Sequence, residues 1–386
     1  MGMKNYIMKL SKNIKKTKYL FATMGPGETS QGRSLAKLVA KDGNEVIIAV
    51  RQKNNLGFFT KDKKFKVFLV DSAKKFDRLF KKEVPDVLVL CNSKSVRYYD
   101  NLSKKPLSAQ TVFVSLDSNW LFLKGEEWYD FCEWLDKYFI VFSKKIFCLG
   151  LKKYGGNYYV PSKILKKIKT VGFVPSYNKI PLREKIKTRK KYKIKNDEKF
   201  IFSYFSGWGA DHRHWAFDNL INSVEKLVKR GLKIKVLYVG PTDKIAPSKL
   251  QKKWLIVEGS HLSVEEFYCV LSSSDLVFQH QGLATLSQTV SAQIPTIANV
   301  MNLKDERHPR HAHAWEVGPF DKLGMCTMFY KDSPIIKISQ EIEKLLYNQK
   351  EIEKMKKNQK RHYISGELNA HKEIQKLLND KNKNRK

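Results

Sequence analysis

Residues 275–295 have the residue types and spacing of a phosphate-binding turn. The apolar run at 275–279 predicts a short buried strand, which stops at a turn formed by residues 280–282. A helix is predicted to begin near Ala284 and to end before Pro295. Its unpaired first-turn N–H groups carry partial positive charge, so a phosphate is well placed against them. A tight strand-to-helix connection that binds nothing would show the same pattern.

The residues of this segment resemble the donor-nucleotide motif of GT-B glycosyltransferases. The resemblance is closest to the transferases that build the lipid-linked peptidoglycan precursor and to the UDP-glycosyltransferases. Gly282, Thr285, Ser287 and Pro295 match that motif, which implies that Thr285 and the helix N-terminus hold phosphate. Gln288 stands where the family has a ribose-binding glutamate. An amide still accepts a hydrogen bond from a ribose hydroxyl, but without the assistance of a charge.

The resemblance also implies three further contacts with the donor nucleotide. A glycine turn at 207–209 would back the diphosphate with main-chain N–H groups, and the loop at 258–261 would lie near the base. Arginines in the basic segment 305–315 would stabilise the leaving diphosphate. The implied donor-binding residues are Gly207, Trp208, Gly209, Arg213, His261, His280, Gly282, Thr285, Gln288, Arg307 and Arg310.

Near the N-terminus, a strand at 18–24 precedes a glycine-rich loop and a helix predicted over 31–41. This start resembles the opening of the acceptor domain of GT-B enzymes, whose loop often holds a catalytic histidine. No histidine lies in this loop, and the implied acceptor-loop residues are Gly25, Gly27, Ser30 and Gln31.

Two carboxylates are candidate general bases for an acceptor hydroxyl. Glu28 lies in the glycine-rich loop, where its alternative role is to stabilise the start of the helix. Asp117 follows a predicted strand, and its alternative is a turn residue without chemistry. The spacing of His308, His311 and His313 invites a metal site, but the family resemblance favours a donor-binding segment there. We expect no metal and no cofactor, since a nucleotide sugar would be a substrate.

Strands alternate with helices along the chain, which predicts an α/β fold with doubly wound parallel sheets. The resemblance implies two Rossmann-like domains that face each other across a cleft. We expect an acceptor domain at 1–172, a linker at 173–196, a donor domain at 197–346 and charged helices at 347–386, the last of which returns to the first domain.

The net charge of +35 and the hydrophobic content of 42% describe a soluble globular protein that attracts polyanions. An anionic membrane surface, a phosphorylated substrate or a lysine-rich proteome would each account for the charge. No specific nucleic acid is expected, because no nucleic-acid-binding signature is present. The chain lacks a convincing signal peptide and a membrane-spanning run, and its five dispersed cysteines suit a reducing compartment. A cytoplasmic protein, free or peripheral at the inner face of the membrane, is expected.

Three functional hypotheses remain open at this point. The first is a glycosyltransferase that moves a sugar from a nucleotide diphosphate donor, expected to be a UDP-sugar, to a hydroxyl acceptor such as a lipid-linked or cell-surface glycan precursor. The second is a nucleotide-sugar 2-epimerase of the same fold. The third is a non-catalytic glycan- or nucleotide-binding protein.

Overall fold

The computed structural model of the protein describes residues 16–59, 62–91, 111–117, 145–149, 168–175, 179–205, 214–259, 262–280, 282–301 and 313–383. Within these ranges the chain forms two parallel β-sheets, each flanked by helices. The strands are mostly continuous apolar runs, as expected for parallel sheets that are covered on both faces. The predicted α/β class with two doubly wound sheets is therefore confirmed.

The first sheet has seven strands in the order β3-β2-β1-β4-β5-β6-β7. Their bounds are β1 Lys18–Thr23, β2 Glu45–Val50, β3 Phe65–Leu69, β4 Val87–Leu90, β5 Val112–Asp117, β6 Lys145–Leu149 and β7 Ile168–Gly172. Helix α1 (Pro26–Lys41) follows β1, a 3-10 helix (Lys53–Phe59) follows β2, and α2 (Ala73–Glu83) follows β3.

The second sheet has six strands in the order β10-β9-β8-β11-β12-β13. Its strands are β8 Lys199–Tyr204, β9 Ile234–Val239, β10 Leu255–Glu258, β11 Leu276–His280, β12 Thr296–Val300 and β13 Thr327–Tyr330. The strand order repeats that of the first six strands of the first sheet. The strand order therefore reverses at the same place in both sheets, between β1 and β4 in the first and between β8 and β11 in the second. Ligands of open α/β sheets bind at such a point.

The remaining helices surround the second sheet or cross to the first. They are α3 Leu182–Lys191, α4 His214–Lys229, α5 Pro247–Leu250, α6 Val264–Ser273, α7 Leu283–Ala292, α8 His313–Lys322, α9 Ile335–Tyr347, α10 Gln349–His362 and α11 Gly366–Lys383. Ser263 caps α6 by accepting a hydrogen bond from the N–H of Glu266 at 3.2 Å, as the capping-box pattern predicts.

The last helix, α11, packs on the first domain, as expected for this class of fold. Ala370 and Ile374 are fully buried in the core that Tyr19 and Leu35 also line. The returning chain crosses the outgoing one at two glycines. Gly172 has a φ of +114°, and a Cβ there would lie 2.4 Å from the carbonyl oxygen of Ile364, so only glycine fits this crossing.

Segment 173–196, expected to be an interdomain connection, contains a helix that packs on the second sheet. Arg189 of α3 donates to the carbonyl oxygen of Ser273 at 3.1 Å, and Tyr192 donates to Glu266 at 2.8 Å. Before α3, Phe173 stacks against Tyr363 with 5.8 Å between ring centroids. The outgoing and returning chains thus share one aromatic contact where they cross.

Three predicted boundaries are wrong. Helix α1 begins at Pro26 rather than at residue 31, because proline fixes a helical φ and needs no hydrogen bond in the first turn. His280 and Asp117 are the last residues of β11 and β5 rather than residues of the following turns. The predicted strand at 138–142 and the predicted helices at 93–102 and 126–136 lie outside the described residues.

Candidate functional site

Helix α7 begins directly after β11 with an open, uncapped N-terminus. Gly282 is its N-cap with a φ of +148°, a conformation that favours glycine, and no side chain caps the helix. The first N–H that bonds back within the helix is that of Leu286, to the carbonyl oxygen of Gly282 at 3.3 Å. Among the described residues, a Cβ built at Gly282 would meet nothing within 4 Å. No described side chain therefore lies against the positive end of α7 at Gly282.

Helix α1 of the first domain has the same kind of N-terminus. Gly25 is its N-cap, again without a side-chain cap. The carbonyl oxygen of Gly25 accepts hydrogen bonds from the N–H and the hydroxyl of Thr29, at 3.0 and 2.7 Å. A Cβ at Gly27 would lie 3.9 Å from the Cβ of Ala284 in α7. The positive ends of two helices, one from each domain, therefore meet at the cleft.

Glu28 lies at this junction of helices. Its Oε2 is 2.6 Å from where a Cβ of Gly25 would stand, so the carboxylate folds back over the start of α1. It is half-buried. This position suits both roles expected for Glu28, because a carboxylate stabilises a helix N-terminus and also borders the cleft. Ser30, expected in a loop, lies in α1 together with Gln31, which was expected to begin the helix and is buried.

Cys91 lies beneath α1 and is unsuited to nucleophilic chemistry. Its Sγ is 2.6 Å from where a Cβ of Gly32 would stand, so the helix approaches the sheet closely at this glycine. Burial raises the pKa of the Cys91 thiol, and the negative charge of Glu28 raises it further. The thiol is therefore protonated and inert.

Gln288 and Thr285 lie three residues apart on α7, which places them on one side of the helix. Thr285 is half-buried, and Gln288 is 6% exposed. Nε2 of Gln288 donates to the hydroxyl of Tyr268 in α6 at 3.1 Å. Burial is the main reason that the pKa of Tyr268 rises to about 12, so its hydroxyl is neutral at ordinary pH.

An ion pair joins the two domains beside this site, and a hydrogen bond ties α1 to the returning helix α11. Arg33 of α1 is buried, and its Nε lies 2.6 Å from Asp62 of the same domain. Its Nη2 lies 3.3 Å from Glu265 of α6, in the other domain. Ser34 donates to Glu367 of α11 at 2.5 Å. α1 is thus held against both α6 and the returning C-terminal helix.

Two further residues expected at the site are the last residues of strands, and the others lie outside the described residues. His280 is 6% exposed, and its ring packs edge-on against Phe205 at 5.2 Å between centroids. The backbone of Asp117 ends β5 beside Cys148 of β6, at the same sheet edge from which α1 starts. The remaining expected residues lie outside the described residues: Gly207, Trp208, Gly209, Arg213, His261, Arg307 and Arg310.

Sequence analysis missed the two residues that support the site from neighbouring helices. Tyr268 follows Phe267 on an apolar helix face, where a tyrosine resembles any other core residue. Arg33 lies within the predicted helix, where an arginine ordinarily faces solvent, and its burial depends on the distant partners Asp62 and Glu265. Among the described residues, no three His, Cys, Asp or Glu side chains come together in a way that could hold a metal ion.

The chain was compared with known proteins. No family model matches it, and no curated protein matches it. Solved structures match almost its full length. The S. aureus MnaA structure with UDP gives a TM-score of 0.66 at 13% identity, covering 94% of this chain and 97% of that one.

Two further solved structures also match almost the full length of this chain. A glycosyltransferase from Rickettsia africae ESF-5 has a TM-score of 0.62 at 13% identity, with 94% of this chain and 98% of that one covered. A UDP-GlcNAc 2-epimerase from Neisseria meningitidis, bound to UDP-GlcNAc, has a TM-score of 0.62 at 11% identity, with 95% and 100% covered. The protein therefore has the GT-B fold, and the resemblance drawn from residues 275–295 is confirmed at the level of the fold.

Proposed function

We propose that the protein is a glycosyltransferase that moves a sugar from a nucleotide diphosphate donor, a UDP-sugar, to a hydroxyl acceptor. The observation that carries the proposal is the meeting of two uncapped helix N-termini, at Gly27 and Ala284, across the domains of a GT-B fold. Helix N-termini bind anionic groups, and a diphosphate is such a group. The matched structures from S. aureus and N. meningitidis are complexes with UDP and UDP-GlcNAc.

Each group then has one role in the transfer. The first-turn N–H groups of α7 and the hydroxyl of Thr285 bind the diphosphate and stabilise its charge as the bond to the sugar carbon breaks. Gln288 accepts a hydrogen bond from the ribose. Glu28 accepts the proton of the acceptor hydroxyl as its oxygen forms the new bond, with Asp117 as the alternative base. Both domains contribute, so closure of the cleft aligns the reactants and excludes water.

The family resemblance implies further donor contacts from residues that lie outside the described ranges. Main-chain groups at 207–209 and the side chain of Arg213 would back the diphosphate. His261 would lie near the base, and Arg307 and Arg310 would neutralise the leaving group. Each of these assignments stays a prediction.

Calorimetry with UDP, GDP, ADP and TDP at moderate salt tests the donor site. Salt must be controlled, because a chain with a net charge of +35 attracts any polyanion. A clear preference for UDP supports the proposal, and Thr285→Val with Gln288→Ala should weaken that binding. Equal, weak and salt-sensitive binding of all four nucleotides would contradict it. Release of UDP that depends on an added hydroxyl acceptor then demonstrates transfer.

A nucleotide-sugar 2-epimerase is the second candidate, because solved structures that match this chain include such an enzyme at the same TM-score as a glycosyltransferase. An epimerase needs no acceptor. Incubating the protein with UDP-GlcNAc alone and examining the sugar by NMR distinguishes the two: an epimer indicates the second candidate. Binding without any turnover would indicate the non-catalytic alternative.

We also propose that the enzyme binds an anionic membrane surface that carries the acceptor, and that helix α3 contributes to this binding. Leu182 and Ile186, one turn apart, are 71% and 48% exposed. Exposed cationic side chains flank them at Arg183, Lys187 and Lys190. Each such cation contributes about 1 kcal/mol near an anionic surface. No helix within the described ranges is long and apolar enough to cross a membrane.

A further inference from the structure

The hydrogen bond between Tyr268 and Gln288 gives the amide of Gln288 a defined orientation. We propose that Tyr268 is a positioning residue, whose hydroxyl holds Nε2 of Gln288 so that Oε1 is presented to the ribose hydroxyls of the nucleotide. This inference rests on the proposed function, because it concerns the same donor site.

The contacts of Gln288 leave one end of the amide available. Nε2 donates to the Tyr268 hydroxyl at 3.1 Å. Oε1 has no hydrogen-bond partner in the part of the chain that the structure describes. The nitrogen is therefore committed to Tyr268, whereas no hydrogen bond among the described residues occupies the oxygen.

An amide needs this support more than a carboxylate would. The two oxygens of a glutamate are equivalent acceptors, so either can meet a ribose hydroxyl. A glutamine has one acceptor end and one donor end, and rotation about its last bond exchanges them. The proposal requires that the Tyr268 hydroxyl give its own proton to another acceptor, because it can then only accept from the amide and favours the orientation in which Nε2 faces it. Tyr268 thereby compensates for the amide at a position where the resembled family has an acid.

The position of Gln288 along α7 fits a ribose next to a helix-bound phosphate. Thr285 is in the exposed first turn, and Gln288 follows three residues later on the same side. Three residues advance a helix by about 4.5 Å. A nucleotide whose diphosphate lies at Gly282 and Thr285 would therefore bring its ribose to the level of Gln288.

The test compares the affinities for UDP and for 2′,3′-dideoxy-UDP, which lacks both ribose hydroxyls. Wild-type protein should bind UDP about tenfold more tightly, the value of roughly one good hydrogen bond. Tyr268→Phe should reduce this preference to about threefold or less and leave the affinity for the dideoxy analogue unchanged. In the Tyr268→Phe background, Gln288→Glu should restore the preference, because a carboxylate needs no orientation. A merely structural tyrosine would not be rescued in this way.

Tyr192→Phe is the matched control, because it removes a comparable hydroxyl hydrogen bond, to Glu266 at 2.8 Å on the same helix α6. It should leave the preference for UDP unchanged. An undiminished preference in Tyr268→Phe, or no recovery with Gln288→Glu, would overturn the role of Tyr268 alone. Absence of UDP binding by the wild-type protein would instead overturn the proposed function, on which this role depends.

Discussion

Gly27 and Ala284 come from different domains, and a Cβ at Gly27 would lie 3.9 Å from the Cβ of Ala284. This distance is an ordinary van der Waals contact, so alanine fits at position 27 but a longer side chain does not. The contact brings the N-termini of α1 and α7 together. Substitutions at Gly27 therefore probe the junction of the two helices directly.

Gly27→Ala should stabilise the protein by about 0.5–1 kcal/mol, because alanine has the higher helix propensity. Gly27→Leu should lose this gain in stability and weaken UDP binding at least tenfold, since its side chain would separate the helix ends. Urea denaturation and calorimetry measure the two effects. Equal UDP affinity of the leucine and alanine variants would show that the diphosphate does not bind at this junction.

Glu28→Gln tests the general base. We expect kcat to fall by about 10²-fold or more, because the amide cannot accept the proton. The affinity for UDP should stay within twofold of wild type, since the diphosphate contacts are unchanged. Lys41→Ala, in the exposed last turn of α1, is the control and should leave kcat unaffected. If Asp117 is the base instead, Asp117→Asn will show the loss and Glu28→Gln will not.

The two ion pairs of Arg33 should differ in their contribution to stability. Arg33→Met leaves Asp62, whose side chain is 13% exposed, without its nearest cation. The free energy of unfolding should fall by about 2–3 kcal/mol, because Lys37 at 3.4 Å offsets part of the loss. Glu265 is 45% exposed on its side chain, so Glu265→Gln should cost less than about 1 kcal/mol. Urea denaturation followed by circular dichroism gives both values, and equal losses would contradict the ranking.

Ionisation of the Tyr268 phenol should lower the free energy of unfolding at alkaline pH. Burial raises the pKa of its phenol from 10.0 to about 12, so the folded protein holds this proton more tightly than the unfolded chain. The stabilisation is complete below about pH 10 and is lost as the pH rises through about 12. Between about pH 8 and pH 11, wild type should lose about 1.4 kcal/mol more than Tyr268→Phe. The difference between the two proteins removes the contribution of the many lysines that titrate in the same range.

Helix α3 can be tested with vesicles of phosphatidylcholine with and without an anionic phospholipid. Wild type should co-sediment with the anionic vesicles, and Leu182→Ser with Ile186→Ser should reduce binding about tenfold. The pair Lys354→Ser and Lys357→Ser on α10 removes two charges from another basic helix and should have a smaller effect. Equal losses in both variants would indicate a general charge attraction rather than a docking helix.

The local elements of the fold were predictable because their cause is local. Alternating apolar runs and turn residues predicted β11, the turn at Gly282 and α7, and the pattern of Ser263 and Glu266 predicted the cap of α6. The start of α1 was predicted wrongly because two glycines suggested a loop. The proline between them permits a helix to begin there, and packing of that helix on the sheet stabilises it.

The sequence by itself determined the class of the fold and the place of the strand-to-helix turn at Gly282, since both follow from periodicity over a few residues. Only the tertiary structure decided which groups meet there. Arg33 and Glu265 are 232 residues apart, and Gln288 and Tyr268 lie on different helices. No local pattern encodes such pairs, because the first forms only when the two domains meet and the second only when two helices pack beside each other on one sheet.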